Sequence, residues 1–232
     1  MNEALAAARQ RSGATLPLPA LVAMDTPRLA LMMLAIEPRL RGVALAGPAG
    51  TGKSALARGA RELAPDKPFV ELPLGADEEG LLGGLDLDAT LRSGQRVIRP
   101  GLLARADGGT LSVDALNLIA DSAANVLLGA IEAGEVHIER EGLSLRSPAR
   151  FTLVGSYDPA EGPPRAHLLD RIGLIVQMPP AAGAAARGEI VRRHLDPLTE
   201  QWQDELEMLQ GLLAAAREQL PQVQISTAQQ RE

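Results

Sequence analysis

Residues 47–54 read Gly47-Pro48-Ala49-Gly50-Thr51-Gly52-Lys53-Ser54, a spacing of glycines, an amine and a hydroxyl that can hold a polyphosphate. The run fits G-x-x-x-x-G-K-[ST], the P-loop. Gly47, Gly50 and Gly52 let the backbone curl until its N–H groups point inward. Lys53 sets a point charge beside the β- and γ-phosphates, and the Ser54 hydroxyl can ligate Mg²⁺. Asp114 closes an apolar run 60 positions after Ser54 and can hold Mg²⁺ through water, the Walker-B role. The next residue is Ala115. Many ATPases carry there a Glu that polarises the attacking water, and alanine has no proton-accepting group. Asp158, in Ser156-Tyr157-Asp158-Pro159, can reach a γ-phosphate or the lytic water, although a carboxylate repels phosphate unless Mg²⁺ intervenes. Arg171, in Leu168-Leu169-Asp170-Arg171, can serve a neighbouring subunit's nucleotide as an arginine finger, and Arg165 is a second candidate. Structural readings compete with each of these: a Gly-rich turn before a helix, a helix cap at Asp114, an Asp-Pro turn, and surface ion pairs for the arginines.

The elements needed to position these groups are legible. Gly42-Val43-Ala44-Leu45-Ala46 is a short buried strand before the loop, and residues 54–63 form a helix whose N-terminus faces the phosphates. Phe69 to Leu72, Thr110 to Asp114, Phe151 to Gly155 and Gly173 to Gln177 read as further core strands. Pro27 to Leu34 and Asp121 to Ala133 have helical spacing; in the second, Ala124, Leu127, Leu128 and Ile131 share one face. Residues 75–109 are rich in Gly, Leu and Asp, with Gly83-Gly84 and Gly108-Gly109 as breakers. Residues 136–140 and 143–146 alternate apolar and polar around Glu141-Gly142, the pattern of a β-hairpin with one wet face. Polar helix follows residue 183, broken by Pro197, with a long stretch from Leu198 to Leu220. Strands separated by helices and opened by a P-loop imply a parallel sheet with helices on both faces.

Composition narrows the function. The chain has 232 residues, of which 46% are hydrophobic and 2% aromatic, so the core is aliphatic. A net charge of −6 without a basic stripe argues against a nucleic-acid partner. Cysteine is absent, which excludes disulfides, thiolate catalysis and a Cys-based metal site, and the three scattered histidines argue against a His-based zinc site. No apolar run reaches the roughly 18 residues of a membrane span and no signal peptide is visible, so a cytoplasmic protein is expected.

Together these residues resemble the AAA+ ATPase module of magnesium chelatase over about residues 25–225. The P-loop is shared by many ATPases. More specific are Leu72-Pro73-Leu74-Gly75-Ala76, Leu82-Gly83-Gly84-Leu85-Asp86, Pro100-Gly101-Leu102-Leu103-Ala104, Ile138-Glu139-Arg140-Glu141-Gly142-Leu143-Ser144, Pro148-Ala149-Arg150-Phe151 and His167-Leu168-Leu169-Asp170-Arg171. The resemblance implies an α/β P-loop AAA+ module: a parallel five-stranded sheet flanked by helices, a β-hairpin insertion at 136–150, an insertion at 75–99 and a truncated C-terminal helical region. It divides the chain into an N-terminal extension (1–24), the ATPase core (25–180) and a helical region opening an incomplete lid (181–232). No D-x-S-x-S motif of an integrin-like domain appears, so the chain reads as a fragment or a truncated product.

Two related subunits carry this module. The I subunit, the motor, has Asp-Glu in Walker B and Asn after the fourth strand. The D subunit has degenerate ATPase motifs. Asp114-Ala115, Asp158 and Leu82 to Asp86 resemble D. The resemblance implies an ATP-binding subunit of an ATP-dependent ligase that inserts Mg²⁺ into protoporphyrin IX for (bacterio)chlorophyll synthesis, in a ring assembly with I subunits and a porphyrin-holding H subunit. ATP would sit on Gly47 to Ser54, its Mg²⁺ on Ser54 and Asp114, with Asp158, Arg165 and Arg171 as catalytic candidates. The competing readings are an active I-type motor and a MoxR-like AAA+ chaperone. The missing base yields a first prediction: the isolated chain turns over ATP about 10²–10⁴-fold more slowly than an AAA+ motor with its base. A steady-state phosphate-release assay checks it, with Ala115→Glu expected to raise the rate.

Overall fold

A computed structural model of the chain describes residues 16–140, 143–179, 183–195 and 200–224. The chain enters through a 3-10 turn at Leu18–Ala20, followed by α1 (Asp25–Ile36), which buries Pro27, Ala30, Leu31 and Leu34 on one side. Strand β1 (Gly42–Ala46) is buried at every position, as a central parallel strand covered on both faces must be. The P-loop turns from β1 into α2 (Lys53–Gly59). This helix is shorter than the predicted 54–63. Beyond Gly59 the chain tightens into i→i+3 turns, with the N–H groups of Ala60, Arg61 and Glu62 donating to Ala57, Arg58 and Gly59. The tighter winding brings the Glu62 carboxylate to the Leu18 N–H, which donates to it at 2.8 Å.

Strand β2 (Phe69–Leu72) leads into an insertion: α3 (Glu78–Leu82), β3 (Gly83–Leu85), α4 (Leu87–Ser93), β4 (Ile98–Pro100) and α5 (Leu102–Arg105). Gly83-Gly84, expected as a breaker, instead opens an antiparallel ribbon, with Gly83 opposite Pro100. Asp77 and Asp86 cap α3 and α4 by accepting from the Gly80 and Ala89 N–H groups at 2.8 and 2.9 Å. Then come β5 (Thr110–Val113), α6 (Asp121–Ala133), the hairpin β6 (Glu135–Arg140) and β7 (Leu143–Pro148), β8 (Thr152–Tyr157), α7 (Ala166–Leu169), β9 (Leu174–Gln177), α8 (Ala184–Leu195) and α9 (Glu200–Gln219). The hairpin matches the sequence reading; its turn, Glu141-Gly142, and the helix-breaking Pro197 lie outside the described residues.

The main sheet has five parallel strands in the order β2-β5-β8-β1-β9. Alternation along each strand sends side chains to opposite faces. Ala44, Ala46 and Leu153 join Leu103, Leu127 and Leu168 on one side. Val43, Leu45 and Val154 join Leu18, Leu31, Leu56 and Leu213 on the other. The largest fully buried side chains are all leucines, so the aromatic-poor composition is met by branched aliphatic packing. Among the described residues no helix is long and apolar enough to cross a membrane.

Residues 16–24, the described part of the segment expected as an N-terminal extension, pack into the fold. Leu18 and Ala20 are fully buried. Leu18 wedges against Gly59, where a Cβ would lie 2.7 Å from its Cδ1. Leu213 of α9 shares its cluster, and Arg193 of α8 donates to the Ala20 carbonyl at 2.9 Å. Leu18→Ala is therefore expected to destabilise the fold by about 2–5 kcal/mol, measured by urea unfolding; a loss under about 0.5 kcal/mol, the range of ordinary surface changes, would show the wedge to be dispensable.

Candidate functional site

The sheet order brings the chemical groups together. Strand β8 lies between β1 and β5, so its last residues are bracketed by the ends of both. Ser156 pairs with Leu45 of β1, and Val113, the residue before Asp114, pairs with Gly155. The P-loop is tied to β8 by the Gly47 N–H, which donates to the Tyr157 carbonyl at 3.1 Å. Gly50 and Gly52 hold φ of 78° and 84°, the left-handed region that costs glycine nothing extra. Lys53 Nζ donates to the carbonyls of Gly47 and Pro48 at 2.6 and 2.9 Å, and Thr51 Oγ1 donates to Pro48 at 2.8 Å. The loop is thus braced across its own mouth, with the lysine amine at its centre.

Ser54 Oγ donates to Asp114 Oδ2 at 3.0 Å. Ser156 Oγ donates to Asp114 Oδ1, which also accepts from the Ala115 N–H at 3.1 Å. Partial burial pushes the Asp114 carboxyl up, but the hydrogen bonds from Ser156, Ser54 and Ala115 and the Lys53 charge outweigh it and hold the group below its ordinary value. Ala115 takes φ of 52°, a left-handed strain of about 1–2 kcal/mol for a residue with a Cβ. Its backbone is held by Asp114 and by the Leu118 N–H, which donates to its carbonyl at 2.8 Å. Beside these groups a cleft of about 340 Å³ is lined by Ser54, Arg58, Glu71, Ser112, Asp114 and Ser156.

A magnesium-bound nucleotide suits these donors. The N–H groups of Gly50, Thr51 and Gly52 donate to no group among the described residues and are free for phosphate oxygens. Ser54 and Asp114 offer the hydroxyl and carboxylate oxygens that a hard cation prefers.

Asp158 borders this centre, while the two arginines stand apart from it. Asp158 caps its own turn, accepting from the Ala160 N–H at 2.9 Å, and its second oxygen accepts from the P-loop N–H of Ala49 at 3.1 Å. It borders the loop and braces it. Both arginines lie against α6. Arg165 pairs with Asp121 and donates to Asn125 Oδ1 at 3.0 Å, while Arg171 Nε donates to Glu132 at 2.8 Å. Sequence reasoning missed four of these partners. Asp121, Asn125 and Glu132 were signalled by their spacing along the exposed face of α6. Ser156 was visible only as a small polar residue at a strand end.

The comparisons agree with this architecture. The MCM P-loop domain model matches residues 38–168. The chain is 48% identical over 211 residues to the magnesium-chelatase 67 kDa subunit of Chlorobaculum parvum, covering 90% of this chain and 34% of that protein. It is 35% identical over 246 residues to the 38 kDa subunit of Rhodobacter capsulatus, covering 90% of this chain and 70% of that one. This chain belongs to the magnesium-chelatase AAA+ subunit family. Among solved structures it is similar to a chain of the complex between subunits BchI and BchD of magnesium chelatase, with a TM-score of 0.64 and 34% identity over 90% of this chain and 77% of that one. The chain spans about a third of the length of the 67 kDa relatives.

The hydrogen bonds to Asp114 set its pH response. Its lowered value means that the stability it contributes is present above the ordinary carboxylate range and is lost as pH falls through the lowered value. Ser156→Ala removes one donor, so loss of Mg-nucleotide affinity on acidification is expected to set in at higher pH than in wild type. A fluorescent-nucleotide titration across the acid range measures this. An unmoved acid limb would detach Asp114 from metal binding.

Proposed function

We propose that this chain is the nucleotide-binding module of a D-type magnesium chelatase subunit, supporting ATP-dependent insertion of Mg²⁺ into protoporphyrin IX within a cytoplasmic ring assembly that includes I and H subunits. One observation carries the reading: a complete P-loop and a Ser54–Asp114–Ser156 cluster suited to Mg²⁺ are followed by Ala115, where hydrolysis needs a base. The higher identity to 67 kDa than to 38 kDa subunits supports the D assignment over the I-type motor. Residues 25–180 act as the ATPase core and 181–232 as the helical region leading towards a lid.

The P-loop N–H groups and Lys53 bind the phosphates. Lys53 exchanges its contacts with Gly47 and Pro48 for phosphate oxygens, and Ser54 and Asp114 hold the Mg²⁺ that neutralises them. Ala115 accepts no proton, so bound nucleotide persists and the module acts mainly as a scaffold and a trans-acting partner. Asp158 steadies the loop through Ala49. Arg171 and Arg165 reach a neighbouring subunit's nucleotide on assembly. Their present partners are exposed carboxylates on α6, and exposed ion pairs of this kind contribute about 0.2–1 kcal/mol each. Release onto a phosphate therefore costs little.

Two measurements test this. Lys53→Ala is expected to weaken fluorescent ATP-analogue binding by about 1.5–3 kcal/mol, the worth of a charge-assisted hydrogen bond; equal affinities would remove the P-loop from nucleotide binding. In a reconstituted assay with I and H subunits, ATP, Mg²⁺ and porphyrin, Arg171→Ala is expected to lower Mg-porphyrin formation while leaving the melting temperature nearly unchanged. Indifference of the rate both to Arg171→Ala and to omission of the chain would sink the chelatase reading.

A further inference from the structure

A second cavity opens at the opposite end of the sheet from the P-loop, where β5 and β8 begin at Thr110 and Thr152 and Arg41 precedes β1. Its volume is about 520 Å³, within the roughly 300–1,000 Å³ of small-ligand sites. The walls are apolar, with Leu31, Leu34, Leu63, Ile131, Phe151 and Val154 contributing. The rim is cationic: Arg39, Arg41, Lys67, Arg150 and Arg217 line it, and no Asp or Glu does. This concentration occurs in a chain whose net charge is −6.

Two of the five rim cations are engaged. Arg39 bonds Glu37, and Arg217 Nε donates to the Ala35 carbonyl at 2.8 Å, near the C-terminal end of α1 where a cation is favoured. Arg41, Lys67 and Arg150 make no side-chain hydrogen bond or ion pair among the described residues. Cations gathered around a low-dielectric surface repel one another, and an anion placed among them relieves that repulsion. An apolar floor beneath a cationic rim selects a molecule with both characters.

We propose that this cavity is a second ligand site, taking a small amphipathic organic anion: a hydrocarbon or aromatic body seated on Leu31, Leu34 and Phe151, with a carboxylate or phosphate head at Arg41, Lys67 and Arg150. The site is separate from the nucleotide centre, because one lies at the amino ends of the parallel strands and the other at their carboxyl ends.

The test uses the 232-residue chain and the fluorescent anion 1-anilinonaphthalene-8-sulfonate as probe. Binding is expected to saturate at one probe per chain, to survive Mg-ATP and Lys53→Ala, and to be competed by monomeric dodecanoate but not by dodecanol. Lys67→Ser and Arg150→Ser are each expected to weaken the probe by about tenfold or more, the equivalent of one charge-assisted contact. Arg150→Lys keeps the charge and is expected to retain most of the affinity, which separates loss of the cation from loss of the fold. Displacement by Mg-ATP, equal competition by dodecanol, or unchanged affinity in the Lys67→Ser/Arg150→Ser double variant would overturn the proposal. Competition by anionic phospholipid vesicles where monomeric dodecanoate fails would assign the cations to a membrane surface and overturn it equally.

Discussion

The arrangement depends on β8 lying between β1 and β5. A strand covered on both faces and hydrogen-bonded on both edges has no freedom of register, since a slip of one residue would exchange its two apolar faces. Leu153 and Val154 pack into opposite clusters and fix that register. Once it is set, Ser156 must emerge between the P-loop and the end of β5. There it bonds Asp114 from the side opposite Ser54. Hydroxyls from two separate segments and the neighbouring Ala115 N–H lower the carboxyl below its ordinary value, with Lys53 as the nearby charge. Packing that looks purely structural therefore places the hydroxyls that lower the Asp114 carboxyl below its ordinary value.

The aliphatic core has a second consequence. With few aromatic side chains to span gaps, the layers close largely through leucines drawn from distant parts of the chain. Leu18, Leu56 and Leu213 meet on one face of the sheet although they come from the N-terminal turn, the P-loop helix and the C-terminal helix. Glu62 and Arg193 reinforce the junction through the Leu18 N–H and the Ala20 carbonyl. The helix that carries Lys53 and Ser54 is thus held in place from behind by both ends of the described chain. A P-loop helix that presents Lys53 and Ser54 benefits from such a rigid backing.

Electrostatically the two ends of the sheet differ. The carboxyl end brings Asp114, Lys53 and P-loop N–H donors together, a set suited to a nucleotide with its cation. The amino end gathers cations over an apolar floor. Between them, α6 offers Asp121 and Glu132 to Arg165 and Arg171. Those pairs are exposed and weak, in contrast to the hydrogen bonds around Asp114.

The residue pattern alone determined the P-loop, the Asp114-Ala115 departure, the five core strands, the hairpin and helix 121–133, because each is local: glycine spacing, hydrophobic period and turn chemistry act over a few residues. The tertiary structure decided what depends on contacts distant in sequence. It ended the P-loop helix at Gly59, where Leu18 packs against it, and it brought the Leu18–Ala20 turn into contact with α9. It turned Gly83-Gly84 from a breaker into the start of a ribbon paired with residues some fifteen positions on. It engaged Asp158 with Ala49 across 109 positions and laid both arginines on α6. The members of these pairs lie from about fifteen to more than a hundred positions apart and share no periodic pattern, so neither periodicity nor motif spacing could disclose them. Their partners are set by strand order, and strand order is decided by which apolar faces bury one another.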